Sequence, residues 1–218
     1  MLLRRLLAIL LVCGIAGGPA AAQPGADLTS FPVLRLEPSA RTAALGGSYA
    51  AVADGDVNAL FFNPAIPGPA TSRVASVSYL NHLSDLNVGS VAYSHTVRGL
   101  GTTLHGGLRF AHWGTFEGRD RFGNPTGDFG AGTAVLTVGG ARAFGGRVRY
   151  GANLHLMHAR IERTGAAAIA LDLGGLYRVP SRRFALGVSL RHLGGMVDGF
   201  VDRRESLPLD LQVGASKR

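Results

Sequence analysis

From Arg73 onward, apolar and polar positions alternate with a period of two through most of the chain. Between Val148 and His158 one parity carries Val148, Tyr150, Ala152, Leu154 and Leu156, and the other carries Arg149, Gly151, Asn153, His155 and Met157. Successive strand side chains point to opposite faces, so such a segment has one apolar face and one polar or small face. The same division separates Leu104, Leu108 and Phe110 from His105, Gly107 and Arg109, and Ile169, Leu171, Leu173 and Tyr177 from Ala170, Asp172 and Gly174. Phe184, Leu186, Val188 and Leu190 oppose Ala185, Gly187, Ser189 and Arg191; Leu207, Leu209, Leu211 and Val213 oppose Pro208, Asp210, Gln212 and Gly214. The pattern predicts eight strands: Arg73 to Leu80, Asn87 to Val97, Thr102 to Trp113, Thr133 to Ala143, Arg147 to Ala159, Ala167 to Arg178, Arg183 to His192 and Leu207 to Ser216. Gly- and Arg-rich turns join them, and Thr115 to Gly132, with Gly118, Gly123, Asn124-Pro125 and Gly127, reads as the longest loop.

Strand length and the character of the second face decide between two all-β architectures. A soluble sandwich also alternates, but its strands more often stop near five or six residues, whereas these run for about nine to eleven, the length a tilted strand needs to cross hydrocarbon. Gly, Ala, Ser, Arg and His on the second face make a poor sandwich core and suit an aqueous lumen. Backbone in lipid must satisfy its own hydrogen bonds, so strands cross only as a closed barrel. The expected fold is a transmembrane antiparallel β-barrel of the outer membrane.

The beginning of the chain agrees. Met1 to Ala22 has basic Arg4 and Arg5, an apolar run from Leu6 to Ile15 and small residues before Gln23, the layout of a cleaved secretory signal. Cys13, the only cysteine, lies within it, so no disulfide framework follows. Residues 23–72 lack the alternation and form an N-terminal segment, with short helices expected at Ser39 to Leu45 and around Val57 to Phe62; the strands occupy 73–218. The net charge of +8 raises nucleic acid as a partner, but the arginines are scattered over strand ends and the polar parity without a basic helix or aromatic platform, which excludes it.

Candidate chemistry is sparse. Asp54-Gly55-Asp56-Val57-Asn58 begins like a calcium loop, yet Ala59 and Ala65 stand where the glycine and the last carboxylate belong, so a turn with Asp56 as helix cap is expected and no metal. His155 and His158 are three apart on a strand and face opposite sides. Ser94-His95 and Ser189 with His192 supply nucleophile and base types without the geometry, and no Gly-x-Ser-x-Gly elbow occurs, so neither an enzyme nor a cofactor is expected.

The run PSARTAALGGSYAAVADGDVNALFFNPA, Pro38 to Ala65, resembles the N-terminal segment of the PorV/PorQ branch of the long-chain fatty-acid-transporter superfamily of outer-membrane barrels. LSDLNVGSVAYSH, GTFEGRDRFGNPTGDF, ALDLGGLYRVP and LPLDLQVGASK follow in collinear order and are similar to the PorQ-type component of the type IX secretion system. The resemblance implies an N-terminal segment that plugs the barrel lumen, with Asp54, Asp56, Asn58, Phe61, Phe62, Asn63, Pro64 and Ala65 as its motif. It also implies around fourteen strands, so that eight would cover only part of a barrel. As a function it implies an outer-membrane anchor for the complex that attaches secreted cargo to the cell surface, with other type IX components, cargo C-terminal domains and outer-membrane lipid as partners. The candidate partner loop carries Phe116, Glu117, Asp120, Phe122, Asn124 and Phe129. The alternative implied by the wider superfamily is a channel for uptake of long-chain fatty acids or other hydrophobic molecules.

Overall fold

A computed structural model describes residues 31–81, 85–199 and 206–217. The expected signal, Met1 to Ala22, lies outside the described residues, as do Cys13 and His82. The fold is all-β: eight antiparallel strands form one sheet in sequence order, with β1 and β8 as its two ends. They are β1 (Val74–Asn81), β2 (Asn87–Val97), β3 (Thr102–Arg119), β4 (Pro125–Phe144), β5 (Val148–Ile161), β6 (Thr164–Val179), β7 (Phe184–Asp198) and β8 (Asp210–Lys217). Before them come one short helix, α1 (Ala40–Ala44), and tight helical turns at Pro32–Arg35, Val57–Phe61 and Pro69–Thr71. Ser39 caps α1 by accepting from the Thr42 amide, and Asp56 caps the Val57 turn by accepting from the Asn58 amide at 2.9 Å, each satisfying a donor that a helix start leaves free.

Burial across the sheet is reversed from that of a water-soluble protein. Register places Val77, Val91, Leu108, Leu136, Leu156 and Ile169 side by side on β1 to β6, and every one of them is 39–76% exposed. The next outward row, Tyr93, Gly106, Val138, Leu154, Leu171 and Leu193, adds five more exposed large side chains. On the other face Ala92, Thr137, His155, Asn153, Asp172 and Ser189 are buried. What covers them is the N-terminal segment, whose Tyr49, Val57, Leu60, Phe61, Phe62 and Ile66 pack with Ala92, Leu176 and Ala185 of the sheet. A second cluster joins Phe31, Val33 and Leu34 to Val88, Val135, Met157 and Ala168. Soluble proteins rarely expose so continuous an apolar surface.

Of the four places where the described ladder shifts register, two β-bulges bear on the residues discussed below. At the first, His112 pairs with Gly132 and Thr115 with Gly130, so β3 holds one extra residue there, with Gly114 at φ 78°. Beyond it the expected loop Thr115 to Gly132 is no loop. β3 and β4 continue as a hairpin, pairing Phe116 with Phe129, Glu117 with Asp128 and Gly118 with Gly127. Gly118 and Gly127, two of the residues that read as a loop, interrupt the alternation without interrupting the ladder. At the second bulge Leu173 pairs with Leu190 but Leu171 pairs with Leu193, so Asp172 faces both Arg191 and His192, with His192 at φ 59°. The inserted residue turns His192 inward and then sets Leu193 outward, and β7 runs on to Asp198 rather than stopping at His192.

Candidate functional site

The residues of the N-terminal motif converge on the inner face of the sheet, where polar side chains grip the backbone of Leu60 to Ile66. Asn153 Nδ2 donates to the Leu60 carbonyl at 2.9 Å, Arg191 Nη1 to that of Phe61 at 3.2 Å and Arg149 Nη1 to that of Ile66 at 3.0 Å. The Arg109 guanidinium lies 5.0 Å from the centroid of the Phe61 ring and Arg191 lies 5.4 Å from that of Phe62. Asn63, fully buried, donates through Nδ2 to the carbonyls of Ala50 (2.7 Å), Gly175 (3.2 Å) and Val188 (3.3 Å), while its Oδ1 accepts from the Ala65 amide at 2.9 Å. Pro64 has no amide to satisfy, and in the tight turn that follows the Ala65 amide donates to Asn63 Oδ1 and the Ile66 amide to the Asn63 carbonyl at 3.0 Å. The approach needs glycines on the wall: a Cβ on Gly107 would sit 2.5 Å from Phe61 Cζ, and one on Gly151 would press on the Pro64 carbonyl. Ser90 and Ser216 complete the attachment by donating to the Pro38 (2.6 Å) and Ala51 (2.8 Å) carbonyls.

At the other side of the segment, Asp54 and Asp56 are already engaged. Arg41 pairs with Asp54, the Tyr49 hydroxyl bonds to Asp56 at 3.2 Å, and Asn58 Nδ2 donates to Asp56 at 2.9 Å and to Ser76 at 3.0 Å. Burial of the Tyr49 phenol, with the negative charges of Asp56 and Asp54 beside it, pushes its pKa above the ordinary tyrosine value. Among the described residues no group of three or more His, Cys, Asp or Glu side chains is placed to hold a metal.

A buried relay crosses three strands of the inner face. Thr137 and His155 are direct register partners, with Oγ1 to Nδ1 at 2.9 Å, and His155 Nε2 lies 2.6 Å from Asp172 Oδ2. Asp172 Oδ1 accepts the His192 amide at 2.8 Å, which fastens the bulge, and Asn153 carries the network on to His105 Nε2 at 2.8 Å. The order hydroxyl, imidazole and carboxylate is that of a nucleophilic triad. Yet Thr137, His155 and Asp172 are all 0% exposed, and the carboxylate is spent on a backbone amide, so the network positions the sheet and no surface is left for a reacting group.

The second candidate region, now a hairpin, brings its named residues together at one end of the sheet. The Phe116 and Phe129 rings stack at 5.5 Å, and with Phe31, Trp113 and Ile161 they wall an apolar cavity of about 380 Å³. Trp113 packs against the inner cluster containing Phe31. Glu117 pairs with Arg119 at 3.1 Å. The turn is closed by Asp120, which accepts from the Phe122 amide (2.8 Å), the Asn124 amide (2.9 Å) and Asn124 Nδ2 (3.0 Å). These bonds to the ionised form, the Asn124 side chain's first, hold the Asp120 carboxyl below its usual range. Phe122 stands at the tip, 75% exposed, with Arg121 over its ring.

No protein-family model matches the chain, and no curated protein matches it.

Cross-strand register brought together residues that the sequence keeps far apart. Thr137, His155 and Asp172 meet only across three strands, so neighbours along any one strand do not reveal them. The available signal was the parity shared by Thr137, His155 and Asp172 on their own strands. Only the bulge lacked any sequence signal.

Proposed function

We propose that the chain is an outer-membrane β-barrel protein of the PorQ type, and that it serves as an anchor in type IX secretion. The observation that supports membrane placement is the row Val77, Val91, Leu108, Leu136, Leu156 and Ile169, exposed on six neighbouring strands and backed by buried Thr, His, Asn and Asp. Lipid solvates such a belt, whereas in water each of these side chains forgoes a part, in most cases under half, of the about 1.5–3 kcal/mol that full burial brings. In this reading the N-terminal segment fills the lumen and further strands complete the wall between β8 and β1. The grip of Asn153, Arg191, Arg149 and Asn63 on Leu60 to Ile66 favours a fixed plug over one that moves aside for a passing molecule.

An anchor needs a surface for its partner, and β3 supplies it. Its 18 residues reach roughly 60 Å along the strand at about 3.4 Å each, or about 43 Å across a membrane at the usual tilt of about 45°, more than the hydrocarbon thickness of about 30 Å, so in this reading the Phe116 to Phe129 hairpin projects beyond the membrane. Aromatic side chains held on a rigid hairpin are good interface anchors.

The test is a mild-detergent pull-down of the tagged complete protein from native outer membranes, followed by mass spectrometry. Recovery of type IX attachment components and cargo, lost on deleting Gly118 to Gly127 while membrane insertion is unchanged, supports the anchor. The apolar cavity beside Phe31 and Trp113 favours a second reading, uptake of hydrophobic molecules. A protein that comes away alone with bound fatty acid would replace the anchor with that reading.

A further inference from the structure

The two ends of the sheet differ in charge. The turns that join β2 to β3, β4 to β5 and β6 to β7 lie together at one end, at 98–101, 145–147 and 180–183, and each has three or four residues. The Phe116 to Phe129 hairpin lies at the other end. The short turns carry Arg98, Arg147, Arg182 and Arg183, all exposed, and no acidic residue. Among the described residues none of these four takes part in an ion pair. Ala53 borders Arg183 there, but the two acids that follow it, Asp54 and Asp56, are 10% and 11% exposed and lie against Arg41. The hairpin end mixes signs, with Glu117 paired to Arg119 and Glu162 beside Arg163.

The basic end also meets the apolar belt. Along β5 the outward side runs from Leu156 and Leu154 through Tyr150, 51% exposed, to Arg147 in the turn. Arg142 pairs with Tyr150 and so faces outward beside it, Phe144 follows on the same face at 72% exposed, and Lys217 shares the outward parity of Leu211 and Val213. Apolar side chains, then aromatic rings, then cations is the order a strand shows in passing from hydrocarbon through headgroups to water. Like charges gathered on adjacent turns without acids between them raise a positive potential that attracts anions. We infer that this rim binds the phosphate headgroups of anionic glycerophospholipids in the leaflet it borders. Short turns face the periplasm in outer-membrane barrels, so that leaflet is the inner one. The outward direction of Arg142 and Lys217 favours lipid over an acidic protein, because it sets these cations against the membrane and not into the water beyond it. The inference rests on the membrane placement proposed above.

The test reconstitutes the complete protein in phosphatidylcholine vesicles and compares spin-labelled phosphatidylglycerol with spin-labelled phosphatidylcholine by electron paramagnetic resonance, which separates lipid held at the protein surface from free lipid. Phosphatidylglycerol should be held at least about threefold more strongly at low salt, and the ratio should fall toward one in about 1 M sodium chloride, where charges are screened within about 3 Å. The combined variant Arg98→Gln, Arg142→Gln, Arg147→Gln and Arg182→Gln should bring the ratio below about 1.5. Arg147→Gln alone should lower it in part, and Arg163→Gln, the same loss of charge at the hairpin end, should leave it unchanged. Circular dichroism identifies any variant that fails to fold; if the combined variant does, Arg147→Gln and the salt dependence decide. A ratio of one in a protein that holds a lipid shell overturns the inference and leaves the rim to an acidic protein partner. A preference that survives the substitutions overturns it as well, as does one abolished by sodium phosphate but not by sodium chloride of equal ionic strength, which would mark a site for the free anion. Absence of any held lipid would overturn the membrane placement itself, and this inference with it.

Discussion

Replacing Asn63 by Ala tests whether the N-terminal segment is a fixed plug. The side chain is fully buried and serves both the Ala65 amide, through Oδ1 at 2.9 Å, and three carbonyls from two strands and the segment itself, through Nδ2. Alanine orphans the Ala65 amide, at about 1–3 kcal/mol for a buried donor, and removes the Nδ2 contacts, at about 0.5–1.5 kcal/mol. The sum, about 2–4 kcal/mol, falls on opening of the segment and not on the strand ladder, whose hydrogen bonds remain. Hydrogen exchange in lipid nanodiscs reads this directly: the Ala65 and Ile66 amides should exchange about 30- to 1000-fold faster, since each 1.4 kcal/mol is a factor of ten, while Leu154 and Leu156 of β5 keep their protection. Unchanged exchange at Ala65 would show that Asn63 does not hold the segment. Equal acceleration at Leu154 and Leu156 would show that segment and sheet open together, and the fixed-plug reasoning would fail in that form.

Leu156→Arg, in the middle of the exposed belt, should cost about 2–4 kcal/mol in urea unfolding from lipid vesicles if the belt faces hydrocarbon; an unaffected variant that is monodisperse without detergent would place the belt in water. Gly151→Val brings a Cβ within 2.9 Å of the Ala65 nitrogen and should destabilise by about 1–3 kcal/mol in the same assay, whereas Gly140→Ala, whose nearest contact would be 3.6 Å, should stay within about 0.5 kcal/mol. The Asp120 carboxyl is held below its usual range, so its support of the hairpin turn is complete above the ordinary carboxylate value and is lost as pH falls through the lowered one. The Phe122 and Asn124 amide resonances should therefore move together only at acid pH, and should not titrate in Asp120→Ala; movement near neutral pH would contradict the assignment.

The two-residue alternation determined the strand number, the all-β class and which parity faces outward, because strand geometry fixes side-chain direction locally. Asp56 was legible as a cap for the same reason, a cap being a matter of neighbours within three residues. Asn63-Pro64-Ala65 could be seen as a motif, but its partners Ala50, Gly175 and Val188 are up to 125 residues away and were supplied by folding. The hairpin at Phe116 to Phe129 was hidden by glycines, which weaken a strand's sequence signature while the ladder, built from backbone groups, tolerates them. Most of all, the tertiary structure decided the bulges. One extra residue opposite Asp172 reverses the parity of the stretch of β7 that follows, turning His192 in and Leu193 out to the belt. No local pattern announces that insertion, because it is set by how β6 and β7 register against each other.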